Sequence, residues 1–170
     1  MKDIKLVVLD VDGTLTDGKL YIDNNGVETK AFHVKDGMAI AQGIKNGLDI
    51  LILTGRESKI VEVRAKELGI TEIYQGIKDK KTKIEEVLKD KNLNYNNVAY
   101  IGDDINDLEV MKLVGYSGCP RDAVKQIRGI SDLISEYNGG EGAVREIIEI
   151  ILEKQGIWEK VLKKYTGGAQ

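Results

Sequence analysis

The 170-residue chain has little of several residue types, and each scarcity removes a class of chemistry. One cysteine, Cys119, leaves no intrachain disulfide and no Cys-based zinc cluster to build. One histidine, His33, excludes multi-histidine metal sites and argues against a histidine-based triad. The longest apolar runs, Leu6–Leu9, Ile50–Leu53 and Ile150–Leu152, fall far short of the roughly 20 residues of a membrane span. Asp3 and Asp10 interrupt the opening segment, so it does not read as a secretory signal, and a cytoplasmic location is expected. An excess of positive charge is also lacking. The net charge is −3, so neither a nucleic acid nor a membrane is expected as partner. The chemistry must then fall mostly on carboxylates, lysines and hydroxyls.

What is present is a globular balance, with 42% hydrophobic and 31% charged residues. The length suits one domain over 1–170 that buries its core without a staple. Short β-branched runs (Ile4–Leu9, Asp49–Leu53, Val98–Ile101, with shorter Glu72–Tyr74 and Leu133–Ile134) alternate with helical patterns. Those patterns cover Gly37–Asn46, Ser58–Leu68, Lys80–Leu88, Asn106–Leu113 and Gly142–Leu152. This alternation predicts an α/β fold, a doubly wound parallel sheet with helices on both faces. Leu20–Ile22 and Thr29–Phe32 flank Asn24-Asn25-Gly26, a turn signal, and predict a protruding β-hairpin over about 18–33. A C-terminal tail from about 156 carries the stripe Trp158, Val161, Leu162 and Tyr165. Its end, Thr166–Gln170, reads as frayed.

Asp10-Val11-Asp12-Gly13-Thr14 follows the first strand directly. Two carboxylates two residues apart, in a turn opened by glycine, can share a divalent cation and an incoming phosphate. Other polar residues also end strands: Thr54-Gly55 after the second and Gly102-Asp103-Asp104 after the Val98–Ile101 strand. In open α/β sheets, sites lie beyond the carboxyl ends of the strands. A receiver-like phospho-accepting module also carries acids after its first strand, but its phosphorylated aspartate would end a later strand, where this chain has Thr54. A non-catalytic binding module is the other alternative to an enzyme.

These motifs resemble those of the haloacid dehalogenase superfamily of phosphohydrolases, in order and over residues 4 to about 150. The resemblance implies that Asp10 is the nucleophile and Asp12 the general acid and base. It implies that Thr54, supported by Gly55, binds phosphoryl oxygens, and that Lys80 neutralises charge. Magnesium would be held by Asp10, the Asp12 carbonyl and Asp103, with Asp104 and Asp107 supporting the site. An all-oxygen donor set favours Mg²⁺ over zinc. The superfamily usually carries a cap domain. Here only a hairpin separates the first motif from the next helix, and only one short strand lies between Leu68 and Lys80, so no cap domain is expected.

Within that superfamily, the chain resembles the capless 3-deoxy-D-manno-octulosonate 8-phosphate phosphatases. The matching segments are Leu9–Gly18, Ala31–Gly37, Thr54-Gly55-Arg56, Tyr74-Gln75-Gly76 and Gly139–Glu146. The resemblance implies a phosphorylated sugar acid as substrate and a homotetramer whose neighbouring subunit covers the site. It implies substrate contacts from Asp12, His33, Val34, Lys35, Asp36, Gly37, Arg56, Arg64 and Lys80. His33, Lys35 and Met38-Ala39 depart from the family's usual Asn, Arg and Tyr-Gly. Lys35 keeps a cation but loses the bidentate fork that grips a carboxylate. Nine-carbon sialic or deaminated sialic acid 9-phosphates are therefore the alternative substrates.

Overall fold

The computed structural model describes residues 3–167. Its main sheet has six parallel strands: β1 (Leu6–Leu9), β4 (Asp49–Leu53), β5 (Glu72–Tyr74), β6 (Val98–Ile101), β7 (Tyr116–Cys119) and β8 (Leu133–Ile134). Their order across the sheet is β5-β4-β1-β6-β7-β8, so the chain winds outward one way from β1 and then the other way from β6. The reversal between β1 and β6 leaves a crevice at their carboxyl ends, the place where open α/β sheets bind ligands. The Asp10–Gly13 turn and Gly102–Asp104 open into it.

Alternation within β1 assigns its residues to two cores. Val7 and Leu9 face one side with α1 (Val34–Lys45), α2 (Lys59–Leu68), α6 (Ala143–Lys154) and α7 (Trp158–Tyr165). Leu6 and Val8 face the other with α3 (Lys80–Lys91), α4 (Leu108–Met111) and α5 (Lys125–Arg128). Both faces of the sheet are thereby covered, which is why its strands read as continuous apolar runs. No helix among the described residues is long and apolar enough to cross a membrane.

The two-stranded hairpin, β2 (Tyr21–Ile22) and β3 (Glu28–Thr29), stands apart from this sheet. Asp23 Oδ1 accepts the Asn25 and Val27 N–H groups, and Gly26 takes a left-handed φ of +77°. This is the turn expected from Asn24-Asn25-Gly26, with strands shorter than expected. The hairpin is the sole insertion between β1 and α1, and only Gln75–Asp79 separate β5 from α3, so there is no cap domain among the described residues.

Several details differ from the expectations. β7 and α5 have no counterpart in the sequence reading, because Tyr116-Ser117-Gly118-Cys119 lacks a β-branched run and α5 is a single turn. The helix expected over Asn106–Leu113 is confined to Leu108–Met111, since Asp104–Asp107 form a turn that feeds the site. α1 begins at Val34 rather than Gly37. α7 docks on the body, where Gln42 Nε2 donates to Tyr165 Oη at 2.8 Å. Of the end expected to fray, Gly168–Gln170 lie outside the described residues.

Candidate active site

The first-strand turn is tied across the crevice. The Asp10 N–H donates to the Ile101 carbonyl at 3.0 Å, and the Thr14 hydroxyl donates to Asp103 Oδ1 at 3.0 Å. Gly13 has φ +88°, and a Cβ there would sit 2.1 Å from Asp103 Oδ2. Glycine is therefore required both by the backbone and by the approach of this carboxylate. The Gly139-Gly140 segment lies over the same turn, with the Gly140 N–H donating to the Thr14 carbonyl at 3.1 Å.

Beneath the turn is a buried charge network. The Lys80 ammonium lies 2.9 Å from Asp10 Oδ1 and 2.6 Å from Asp107 Oδ1. Tyr100 Oη donates to the same Asp107 oxygen at 2.7 Å, while Asp107 Oδ2 accepts the Asp103 N–H at 3.1 Å. Asp107 is thus fully engaged by protein donors. Burial would lower the Lys80 pKa, but Asp10 and Asp107 outweigh it and the net shift is upward, so the ammonium stays charged. Burial drives the Tyr100 phenol upward, with the Asp107 charge adding to it, and it remains a donor.

Asp10 is 4% exposed, and its carboxyl is raised to about 6, first by burial and then by the Asp107 charge. Asp103 is raised to about 7, by burial and by the Asp10 charge. Carboxylates of Asp10, Asp103 and Asp107 reach within 4.8 Å of one another. Asp107 is taken by Lys80 and Tyr100, which leaves Asp10 and Asp103 as the open pair. Asp10 Oδ1 is buried with no hydrogen bond of good geometry, only the ion pair to Lys80. Two ionisable oxygens held together and poorly satisfied by protein donors are a fit for a hard divalent cation.

Above them is an open cleft of about 240 Å³ lined by Asp10, Asp12, Thr54, Gly55, Arg56 and Asp104, with Ile105 and Asn106. Thr54 is held there by its backbone, which bonds Tyr74 on β5 and the Ile77 N–H. Asp10, Asp12, Thr54, Gly55, Arg56, Lys80, Asp103, Asp104 and Asp107 are therefore brought to one place.

The other predicted substrate contacts lie elsewhere. His33, Asp36, Gly37 and Arg64 line a tight apolar crevice between α1 and α2, with Leu15, Phe32 and Val61. Asp36 is 2% exposed and accepts the Arg145 N–H at 2.7 Å, at the start of α6. Burial raises its carboxyl to about 6. Val34 and Lys35 are exposed on the first turn of α1, and Arg64 Nη1 pairs with Glu67.

One residue of this site was missed in the sequence. Lys30, from the strand end of the hairpin, places its Nζ 2.5 Å from Asp12 Oδ1 and 2.9 Å from Glu28 Oε1. Nothing local marks it, because a lysine in an exposed hairpin ordinarily faces solvent.

A family model for haloacid dehalogenase-like hydrolases matches residues 57–148. A 3-deoxy-D-manno-octulosonate 8-phosphate phosphatase of Escherichia coli (strain K12) is 42% identical over 155 residues, covering 91% of this chain and 82% of the relative. The crystal structure of the phosphatase of that name from Moraxella catarrhalis, in complex with magnesium ion, phosphate ion and a KDO molecule, is 40% identical. It superposes with a TM-score of 0.94 over 96% of this chain and 94% of that one. A cobalt-bound deoxy-D-mannose-octulosonate 8-phosphate phosphatase from Haemophilus influenzae is 37% identical, with a TM-score of 0.87 over 92% and 91% of the two chains.

Proposed function

This chain belongs to the haloacid dehalogenase-like hydrolases, among the 3-deoxy-D-manno-octulosonate 8-phosphate phosphatases, and from that premise we propose how its site performs Mg²⁺-dependent hydrolysis of that sugar-acid phosphate. The observation that carries the reading is the convergence of Asp10, Lys80, Asp103 and Thr54 at the β1/β6 switch point.

Asp10 and Asp103, with the Asp12 carbonyl, would hold the magnesium ion. When bound, the ion neutralises the carboxylates and the phosphate dianion so that they can approach. Lys80, fixed by Asp107, holds positive charge beside the Asp10 oxygen, and Thr54 binds a phosphoryl oxygen. Asp10 attacks phosphorus, forming an acyl phosphate as the bond from phosphorus to the sugar oxygen breaks. Asp12 gives its proton to that departing oxygen. Asp12, now a carboxylate, takes a proton from water as the water oxygen attacks phosphorus, which releases inorganic phosphate and restores Asp10.

The site is open to solvent in one subunit, and the hairpin beside it exposes Leu20, Tyr21, Ile22 and Val27, with Val34 and Met38 on the adjoining helix. Exposed apolar residues so grouped favour an interface. We read the enzyme as a homotetramer in which a neighbouring subunit covers the cleft and brings residues such as Arg64 or Lys35 to the substrate carboxylate. The same reading makes it a cytoplasmic enzyme of lipopolysaccharide biosynthesis.

The test is phosphate release with Mg²⁺ from octulosonate 8-phosphate, sialic acid 9-phosphate, its deaminated analogue and glucose 6-phosphate, with Asp10→Asn as the blank. Preference for the octulosonate, lost in the blank, is expected. Preference for a nine-carbon acid would reassign the substrate. Turnover that survives Asp10→Asn would remove the nucleophile.

A further inference from the structure

We propose that Lys30 is a positioning residue for phosphoryl transfer, its buried ammonium clamping Oδ1 of the Asp12 carboxyl and leaving Oδ2 to carry the transferred proton, while Glu28, itself paired with Arg56, holds that ammonium in place. The proposal rests on the role given to Asp12 above.

The hairpin inverts the usual distribution of side chains. Its apolar residues Leu20, Tyr21, Ile22 and Val27 are about half exposed, whereas the Lys30 side chain is 3% exposed. An ammonium taken out of water is destabilising unless it is paired. Here it is paired twice, with Asp12 at 2.5 Å and with Glu28 at 2.9 Å. Glu28 in turn meets Arg56 Nη2 at 3.2 Å. Charges therefore alternate from the β1 turn, through the hairpin, to the loop after β4, and the two ends of the row, Asp12 and Arg56, line the cleft.

Among the described residues, Lys30 is the only group hydrogen-bonded to the Asp12 carboxylate. The Asp12 side chain is otherwise open to the cleft, with 27% of it exposed. A carboxyl that must meet a departing oxygen works only from within hydrogen-bond reach and in the right orientation. The hairpin supplies that orientation from within the same chain.

A clamp on the general acid matters in proportion to the leaving group's need for a proton. An alkoxide leaving from a sugar phosphate needs one, and a nitrophenolate scarcely does. The experiment compares kcat/KM for octulosonate 8-phosphate and p-nitrophenyl phosphate in wild type, Lys30→Met, Glu28→Gln and Asp12→Asn. This ratio covers the steps through alcohol release, so hydrolysis of the acyl phosphate does not enter. For Lys30→Met we expect a loss of about 10²-fold on the sugar phosphate and only a few-fold on the aryl phosphate. Glu28→Gln, which keeps the shape of the side chain and an oxygen that can accept from Lys30, should show the same bias with a smaller loss. Equal losses on both substrates, or no loss, would overturn the clamp. An unbiased Asp12→Asn would sink both the clamp and the acid role of Asp12. A biased Asp12→Asn beside an unbiased Lys30→Met would sink the clamp alone.

Discussion

Lys80 Nζ lies 2.6 Å from Asp107 Oδ1, and neither side chain is more than 1% exposed. The two residues come from separate helices on one face of the sheet, the first turn of α3 and the entry to α4. The pair aims an ammonium at Asp10, because Asp107 is itself fixed by Tyr100 and by the Asp103 N–H.

Asp107→Asn removes half of this buried pair and leaves Lys80 with Asp10 alone. Breaking such a pair costs about 3–5 kcal/mol. Urea unfolding should show a loss of that order, and kcat should fall at least about tenfold as Lys80 shifts. An unchanged midpoint and unchanged kcat would mean that Tyr100 and the backbone suffice.

Magnesium should stabilise the protein more as pH rises. Asp10, at about 6, and Asp103, at about 7, both sit above the ordinary 3.8. The folded state therefore binds their protons more tightly than the unfolded state. Without metal, these groups make stability fall as pH rises from about 4 to 7. The metal requires them ionised, so the Tm increment produced by Mg²⁺ should be small at pH 5 and grow through pH 8. An increment independent of pH would refute the pairing of these two carboxylates with the ion.

Gly13→Ala meets two obstacles, a left-handed φ and the Asp103 carboxylate 2.1 Å from the new Cβ. The backbone cost alone is about 1–2 kcal/mol. Gly26→Ala is the control, with φ +77° and nothing within 4 Å. Both should lower Tm, but only Gly13→Ala should raise the Mg²⁺ concentration for half-maximal activity, by about tenfold if it displaces one carboxylate ligand. Equal metal requirements in the two variants would contradict this.

Asp36→Asn isolates a buried carboxylate outside the cleft. Its folded value near 6, raised by burial, means that the ionised form costs stability, and that this cost grows as pH climbs from 3.8 to 6. Asparagine keeps an acceptor for the Arg145 N–H and never ionises. Relative to wild type, the variant should gain about 1.4 kcal/mol between pH 5 and pH 8, one pKa unit of the window. Denaturant titrations at the two pH values measure it. A difference that stays flat would place Asp36 in water.

Much of this molecule is legible in order along the chain. A buried strand ending in Asp10-Val11-Asp12-Gly13, the hydroxyl after β4, the lysine opening α3 and the acids after β6 are all patterns with a local cause: strand period, turn glycine, helix start. Because every parallel strand delivers its carboxyl end to the same side, local order was enough to bring Asp10, Thr54, Lys80 and Asp103 together. The weak strand β7 was invisible because its glycine and serine pack by position rather than by hydrophobic pattern.

What only the tertiary structure decided is where the side chains of the hairpin and of α1 point. Lys30 turns inward to Asp12 across 18 positions of sequence, while its apolar neighbours face out. Asp36, in a segment that reads as substrate-contacting, turns to the start of α6. Neither direction follows from period or turn chemistry. Each depends on which distant charge or N–H group waits at the other end, and a buried charge takes its orientation from that partner.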